Sequence, residues 1–147
     1  MPDSAYTTIK NKILAVLQTV TKIQEFYGYP NLQFDGYPAA VIVPSNQDSD
    51  YETNTDNERA YAFQLSIFQD IKEGGIENAL NALYDLADDV LNAFDSDPTL
   101  SGISLPTGYT MIYVAPSISA WQQIDDKEVL FLNITIKVRV SVDITSI

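Results

Sequence analysis

Asp48, Asp50, Glu52 and Asp56 stand within nine positions of the stretch "QDSDYETNTDNER". Carboxylates at such spacing are the usual ligands of a hard cation. Set against a calcium-binding loop, Asp48, Asp50 and Glu52 fill positions one, three and five. The sixth position, which needs glycine for its sharp turn, is Thr53, and the twelfth, which needs a bidentate glutamate, is Arg59. The flanking helices are also missing, because strands are predicted on both sides. The segment reads as an acidic stretch able to associate weakly with cations, without a metal site.

A second group, Asp85, Asp88 and Asp89, lies on a predicted helix, where Asp85 and Asp89 are neighbours four residues apart. No second acidic helix completes it, so it reads as a solvated face. The chain has no histidine and no cysteine. That removes the usual general base near neutral pH, the usual metal ligands and every Ser–His or Cys–His pair. No glycine-rich phosphate loop and no nucleophile elbow occurs. No catalytic, cofactor-binding or metal-ligating residue is predicted. Binding or assembly is the expected class.

The net charge of −12, from 20 acidic and 8 basic residues, opposes binding to a phosphate backbone by counterion release. It remains compatible with a wall along which DNA slides without sticking. Lys137 and Arg139, on the polar face of the last strand, are too few for a nucleic-acid patch. They are expected to pair with acidic groups across the sheet or on a neighbour. Trp121, the only tryptophan, lies in the polar stretch "SAWQQIDDKE". It is either an anchor at the edge of the core or a contact for a partner.

These residues have to be held by a scaffold that 147 residues suffice to build, and one domain spanning 1–147 is expected. Ile9, Ile13, Val16, Leu17, Val20 and Ile23 recur at helical spacing, with Asp3 or Ser4 as N-cap and Gly28 and Pro30 as limits. "GYPNLQFDGYP" is a turn-rich connection, and "AAVIVPS" a short buried strand. Residues 46–58 read as the projecting tip of a hairpin. It has hardly any apolar residue beyond Tyr51 to offset its ordering entropy.

From Arg59 onward, Tyr61, Phe63, Leu65, Ile67 and Ile71 alternate with small or polar residues, Phe68 being the exception. A second helix carries the seam Ile76, Leu80, Leu83, Ala87, Val90 and Phe94. "YTMIYVAPSISAW" reads as a strand interrupted at Pro116. Residues 128–144 alternate without a break and would reach about 55 Å if fully extended. That length predicts bending or pairing outside the domain, and self-association through this strand. The expected fold is α+β, an antiparallel or mixed sheet covered by two amphipathic helices in the order α-β-β-α-β-β.

"FDGYPAAVIVPS", the acidic stretch, "ERAYAFQLSIFQ", the helix "GIENALNALYDLADDVLNAF" and the long strand "EVLFLNITIKVRVSVDI" together resemble the tail terminator (tail-completion) proteins of long-tailed bacteriophages. The resemblance covers most of the chain in element order, length and character. It implies a structural virion protein forming a six-membered ring on the head-proximal end of the tail. Such a ring caps the tail tube, ends its polymerisation and joins the tail to the head connector. The implied partners are further copies of the chain, the tail tube protein and the connector or neck proteins. DNA would pass through the ring without specific binding. No cofactor, enzyme activity or membrane is implied.

The N-terminal segment "MPDSAYTTIKNKILAVLQTV" lacks the basic flank and unbroken apolar run of a signal peptide or membrane span. Synthesis in the host cytoplasm and residence in the virion are therefore expected. The rival readings are another neck or head-completion subunit, and a small carboxylate-dependent enzyme or ligand-binding module.

Overall fold

The computed structural model describes residues 4–28, 36–51, 56–71, 75–124 and 129–145; at 46–51, 56 and 122–124 only the backbone is described. The fold is α+β. Two helices, α1 (Ala5–Leu17) and α2 (Gly75–Asp95), accompany five strands: β1 (Glu25–Tyr27), β2 (Ala39–Tyr51), β3 (Asp56–Asp70), β4 (Tyr109–Ile124) and β5 (Val129–Asp143). The sheet order is β1-β2-β3-β5-β4. It is mixed, because β1 runs parallel to β2 while every other pairing is antiparallel.

Ser4 starts α1. Its side chain accepts the Thr7 backbone N–H at 3.1 Å, satisfying one of the helix's orphan donors. The helix stops earlier than the apolar spacing to Ile23 suggests. At the run Thr19-Val20-Thr21, β-branched side chains crowd the preceding turn, and the Thr19 hydroxyl donates to the Val16 carbonyl at 2.6 Å. Val20 and Ile23 are still buried, reached through turns instead of helix.

β1 adds an element that the sequence reading left in a connection. Three residues are too short to show a period, and β1 exists by pairing with Ala39–Val41. β4 also corrects its expectation, since it runs through Pro116 without a break. Among the described residues it has a neighbouring strand on one side only. An edge strand, half of whose N–H groups have no ladder partner, accommodates proline.

One face of the sheet holds the main core. Ile9, Ile13 and Leu17 of α1 and Leu83, Leu86, Val90 and Phe94 of α2 meet Phe63, Leu65, Ile67 and the even-numbered residues Leu130–Val142 of β5. Both helices therefore cover the same face. The α2 seam begins one turn later than expected: Ile76 is 51% exposed, and Ala79 and Leu86 are buried instead. Gly75 opens this helix at φ +78°, a conformation that disfavours residues with a Cβ.

The opposite face carries a small cluster of Val41, Phe68 and Val129, flanked by Tyr27, Tyr37, Val43 and Phe131. This explains why Phe68 breaks the alternation of β3: it packs on the second face. The rest of that face is largely polar, with Ser66 donating to Asn133 at 2.7 Å.

β5 extends over all fifteen of its residues and lies between β3 and β4. β3 pairs with it from Asp56↔Asp143 to Asp70↔Val129, and β4 from Tyr109↔Val142 to Ile124↔Val129. Its length is thus used inside the sheet. It offers no edge to a neighbour, contrary to the expectation of self-association through it.

Candidate functional site

The acidic segment is less of a loop than its composition indicates. β2 continues to Tyr51 and β3 begins at Asp56, so strand takes in most of the expected loop 46–58; residues 52–55, Glu52 among them, lie outside the described residues. Asp48 pairs with Ala60, Asp50 with Glu58, and Asp56 with Asp143 on β5. Acidic residues with no apolar alternation give no strand signal of their own. The backbone ladder of β3, itself held along its whole length by β5, nonetheless extends β2 through them. The register absorbs one extra residue of β2 between Pro44 and Gln47, a β-bulge.

Arg139 reaches from β5 to the Glu58 carboxylate of β3 at 2.7 Å, with both side chains partly buried. Of the two pairings left open for it, across the sheet or on a neighbour, this is the one across the sheet. The carboxylate, as the strongest influence, raises the pKa of the guanidinium. Lys137, two residues earlier on β5, is exposed and has no ion-pair partner among the described residues. On α2, Asp85 and Asp88 are exposed, whereas Asp89 pairs with Lys22 at 3.1 Å. Among the described residues no three acidic side chains converge as a metal site would need.

A shallow cleft of about 240 Å³ between the turn after α1 and α2 is lined by Thr19, Val20, Thr21, Lys22, Asp89 and Ala93. Its single carboxylate is the one Lys22 already holds.

Trp121 belongs to β4, opposite Leu132. The residue is 40% exposed, and its ring meets that of Tyr84 on α2 edge-on, with centroids 5.2 Å apart. It is therefore outside the main core and forms part of an apolar ledge. Six large apolar side chains stand exposed among the described residues. Ile112, Tyr113, Ile118 and Trp121 are on β4, and a fifth, Tyr84, is Trp121's partner.

Two further features escaped the sequence reading. The first is a charge gap. Residues 98–124, a run of 27 containing all of β4, hold no Asp, Glu, Lys or Arg. That signal was available in the sequence, but its meaning depends on β4 being the sheet's edge. The second is a cluster around Arg59, whose Nη1 donates to the hydroxyls of Tyr61 and Tyr109, each at 3.2 Å. The guanidinium carbon lies 5.7 Å from the Tyr109 ring centre, and Tyr6 of α1 packs edge-on to Tyr61. Burial pushes the Tyr61 hydroxyl's pKa up, so it remains a neutral partner for the guanidinium. Beside this cluster Asn57 is 1% exposed, and its Oδ1 has no hydrogen-bond partner.

No family model matches the chain, and no curated protein does. Among solved structures, the chain is similar in fold to a chain of the virion of a native gene transfer agent particle. The TM-score is 0.58 at 12% sequence identity, covering 95% of this chain and 99% of the other. No helix among the described residues is long and apolar enough to cross a membrane.

Proposed function

We propose that this chain is a structural protein of a phage-type virion, a single domain built like a tail terminator. Its copies form a ring, of six subunits as the family resemblance implies, that caps the tail tube, ends its growth and meets the head connector. The observation that carries the reading is the end-to-end likeness of fold to a virion chain, 95% of one and 99% of the other. Such coverage matches the two chains along nearly all of their length, not a shared motif.

The surface chemistry supports assembly over catalysis. Exposed apolar side chains gather on one edge strand, while the carboxylates of α2 are solvated or ion-paired. A ring whose every subunit carries −12 would let DNA pass without holding it. Asp48, Asp50, Glu52 and Asp56 either face that channel or meet basic groups on the tube.

Electron microscopy of the purified chain mixed with tail tubes tests the proposal. An ordered ring on one tube end, with growth stopped there, is the expected result. Tubes that stay bare and keep growing would overturn it. A ring that stacks on portal protein instead of tube would make the chain a neck subunit.

A further inference from the structure

β4 is the outermost strand on its side of the sheet, and among the described residues its far edge is met at one point, where the Val114 backbone N–H donates to the Pro98 carbonyl at 2.7 Å. The opposite side ends differently. β1 covers β2 only from Ala39 to Val41, so from Ile42 onward the outer side of β2 is unpaired among the described residues. Unpaired strand edges are templates for another strand, and soluble proteins usually defend them with charge, proline or bulges. β2 is defended by Pro44, a bulge and the acidic pair Asp48 and Asp50. β4 has Pro116 and two irregularities, at Met111/Tyr113 and Ile118/Ala120, but no charge at all.

We infer that β4, from Pro116 onward and past the point that Pro98 holds, receives the outer edge of β2 from a second copy of this chain, head to tail, in its uncharged stretch 42–47. The occupant follows from charge. Two chains at −12 approach closely only where neither places carboxylates against the other. The gap at 98–124 is such a strip, and residues 36–47 of the facing edge are uncharged as well. A basic partner would instead be drawn to the solvated carboxylates of α2.

The two edges are different surfaces of one subunit. Their union is therefore heterologous, the kind of contact that closes into a ring, whereas β4 against β4 would stop at a two-fold dimer. Ile118 and Trp121, in register with core residues Ile134 and Leu132, stand on one face of β4 beyond Pro116 and would flank the added strand there. Proline and bulges keep the paired stretch short, so each contact is weak until the ring closes. This inference rests on the ring reading and names the surfaces that reading leaves open.

The absence of cysteine makes the test clean. Ser45 on β2 and Ser117 on β4 are both exposed. Chains carrying Ser45→Cys are mixed at high concentration with chains carrying Ser117→Cys, under mild oxidation, and disulfide-linked products are mapped by mass spectrometry. Mixed 45–117 dimers are expected to predominate. They should be lost when Ile118→Lys, at a position 39% exposed, puts a charge beside the open part of the edge, with the circular dichroism spectrum unchanged. Predominant 117–117 dimers would overturn the pairing, as would 45–117 yields no higher than those with Ser96→Cys, an exposed position at the end of α2. The two proposals fail separately. Cross-linked copies without rings on tube ends sink the capping function, and rings without 45–117 links sink the edge pairing.

Discussion

Trp121 of β4 and Tyr84 of α2 meet edge-on, ring centroids 5.2 Å apart and planes at 73°, while 40% and 48% of the two residues stay exposed. The pair closes the margin between helix and edge strand without entering the core. Trp121→Ala is therefore expected to cost less in urea unfolding than the roughly 3–5 kcal/mol of a core tryptophan, with about 0.5–1.5 kcal/mol of the loss coming from the aromatic pair. As the only tryptophan, Trp121 also reports on its surroundings. Its fluorescence should shift to the blue when copies assemble, and an unchanged spectrum in the assembled state would place the interface elsewhere.

Leu83 and Ile76 lie seven residues apart on α2, yet one is fully buried and the other 51% exposed. Leu83→Ala should destabilise by about 2–5 kcal/mol, from lost transfer energy and the cavity left behind. Ile76→Ser should stay within about 0.5 kcal/mol of the parent. Comparable losses in chemical denaturation would mean that the helix is rotated from the position described.

Asp97 follows α2, and its Oδ1 accepts both the backbone N–H and the hydroxyl of Ser101, each at 2.8 Å. This turn presents Leu100, fully buried at φ +50°, to the core. The Ser101 backbone N–H first, and its hydroxyl second, lower the carboxyl's pKa. A depressed folded pKa means stabilisation that is complete above the ordinary carboxylate range and lost as pH falls through the folded value. Asp97→Ala should cost about 0.5–1.5 kcal/mol near neutral pH, on the scale of a hydrogen bond. The gap from the parent should close in strong acid. A gap that stayed constant with pH would mean that the carboxylate's charge contributes nothing to this turn.

Glu58 and Arg139 join β3 to β5 at 2.7 Å with side chains 19% and 35% exposed. A double-mutant cycle with Glu58→Gln and Arg139→Gln should return a weak coupling that shrinks with added salt. A coupling several times larger and insensitive to salt would show that this face is buried in solution, as by a neighbouring copy.

Alternation and helical spacing are local properties, and they made the two helices, the β2–β3 hairpin and β5 readable from the residues alone. The place of Arg139 on the polar side of β5 was legible too, because it follows from period two. The missing histidine and cysteine removed whole classes of chemistry before any coordinate was needed.

What the tertiary structure decided are the properties of neighbours. Asp48 and Asp50 stand in a strand because β5 holds β3 straight and β3 carries the ladder onward, which no local propensity announces. β1 exists only as a partner of β2, and β4 survives Pro116 only because it lies at the edge. The longest apolar alternation turned out to be the sheet's interior, since a strand flanked on both sides needs its length for two partners. Ile112, Tyr113, Ile118 and Trp121, within the uncharged run 98–124, came to stand exposed for the complementary reason. Strand order, which depends on contacts distant in sequence, left β4 outermost.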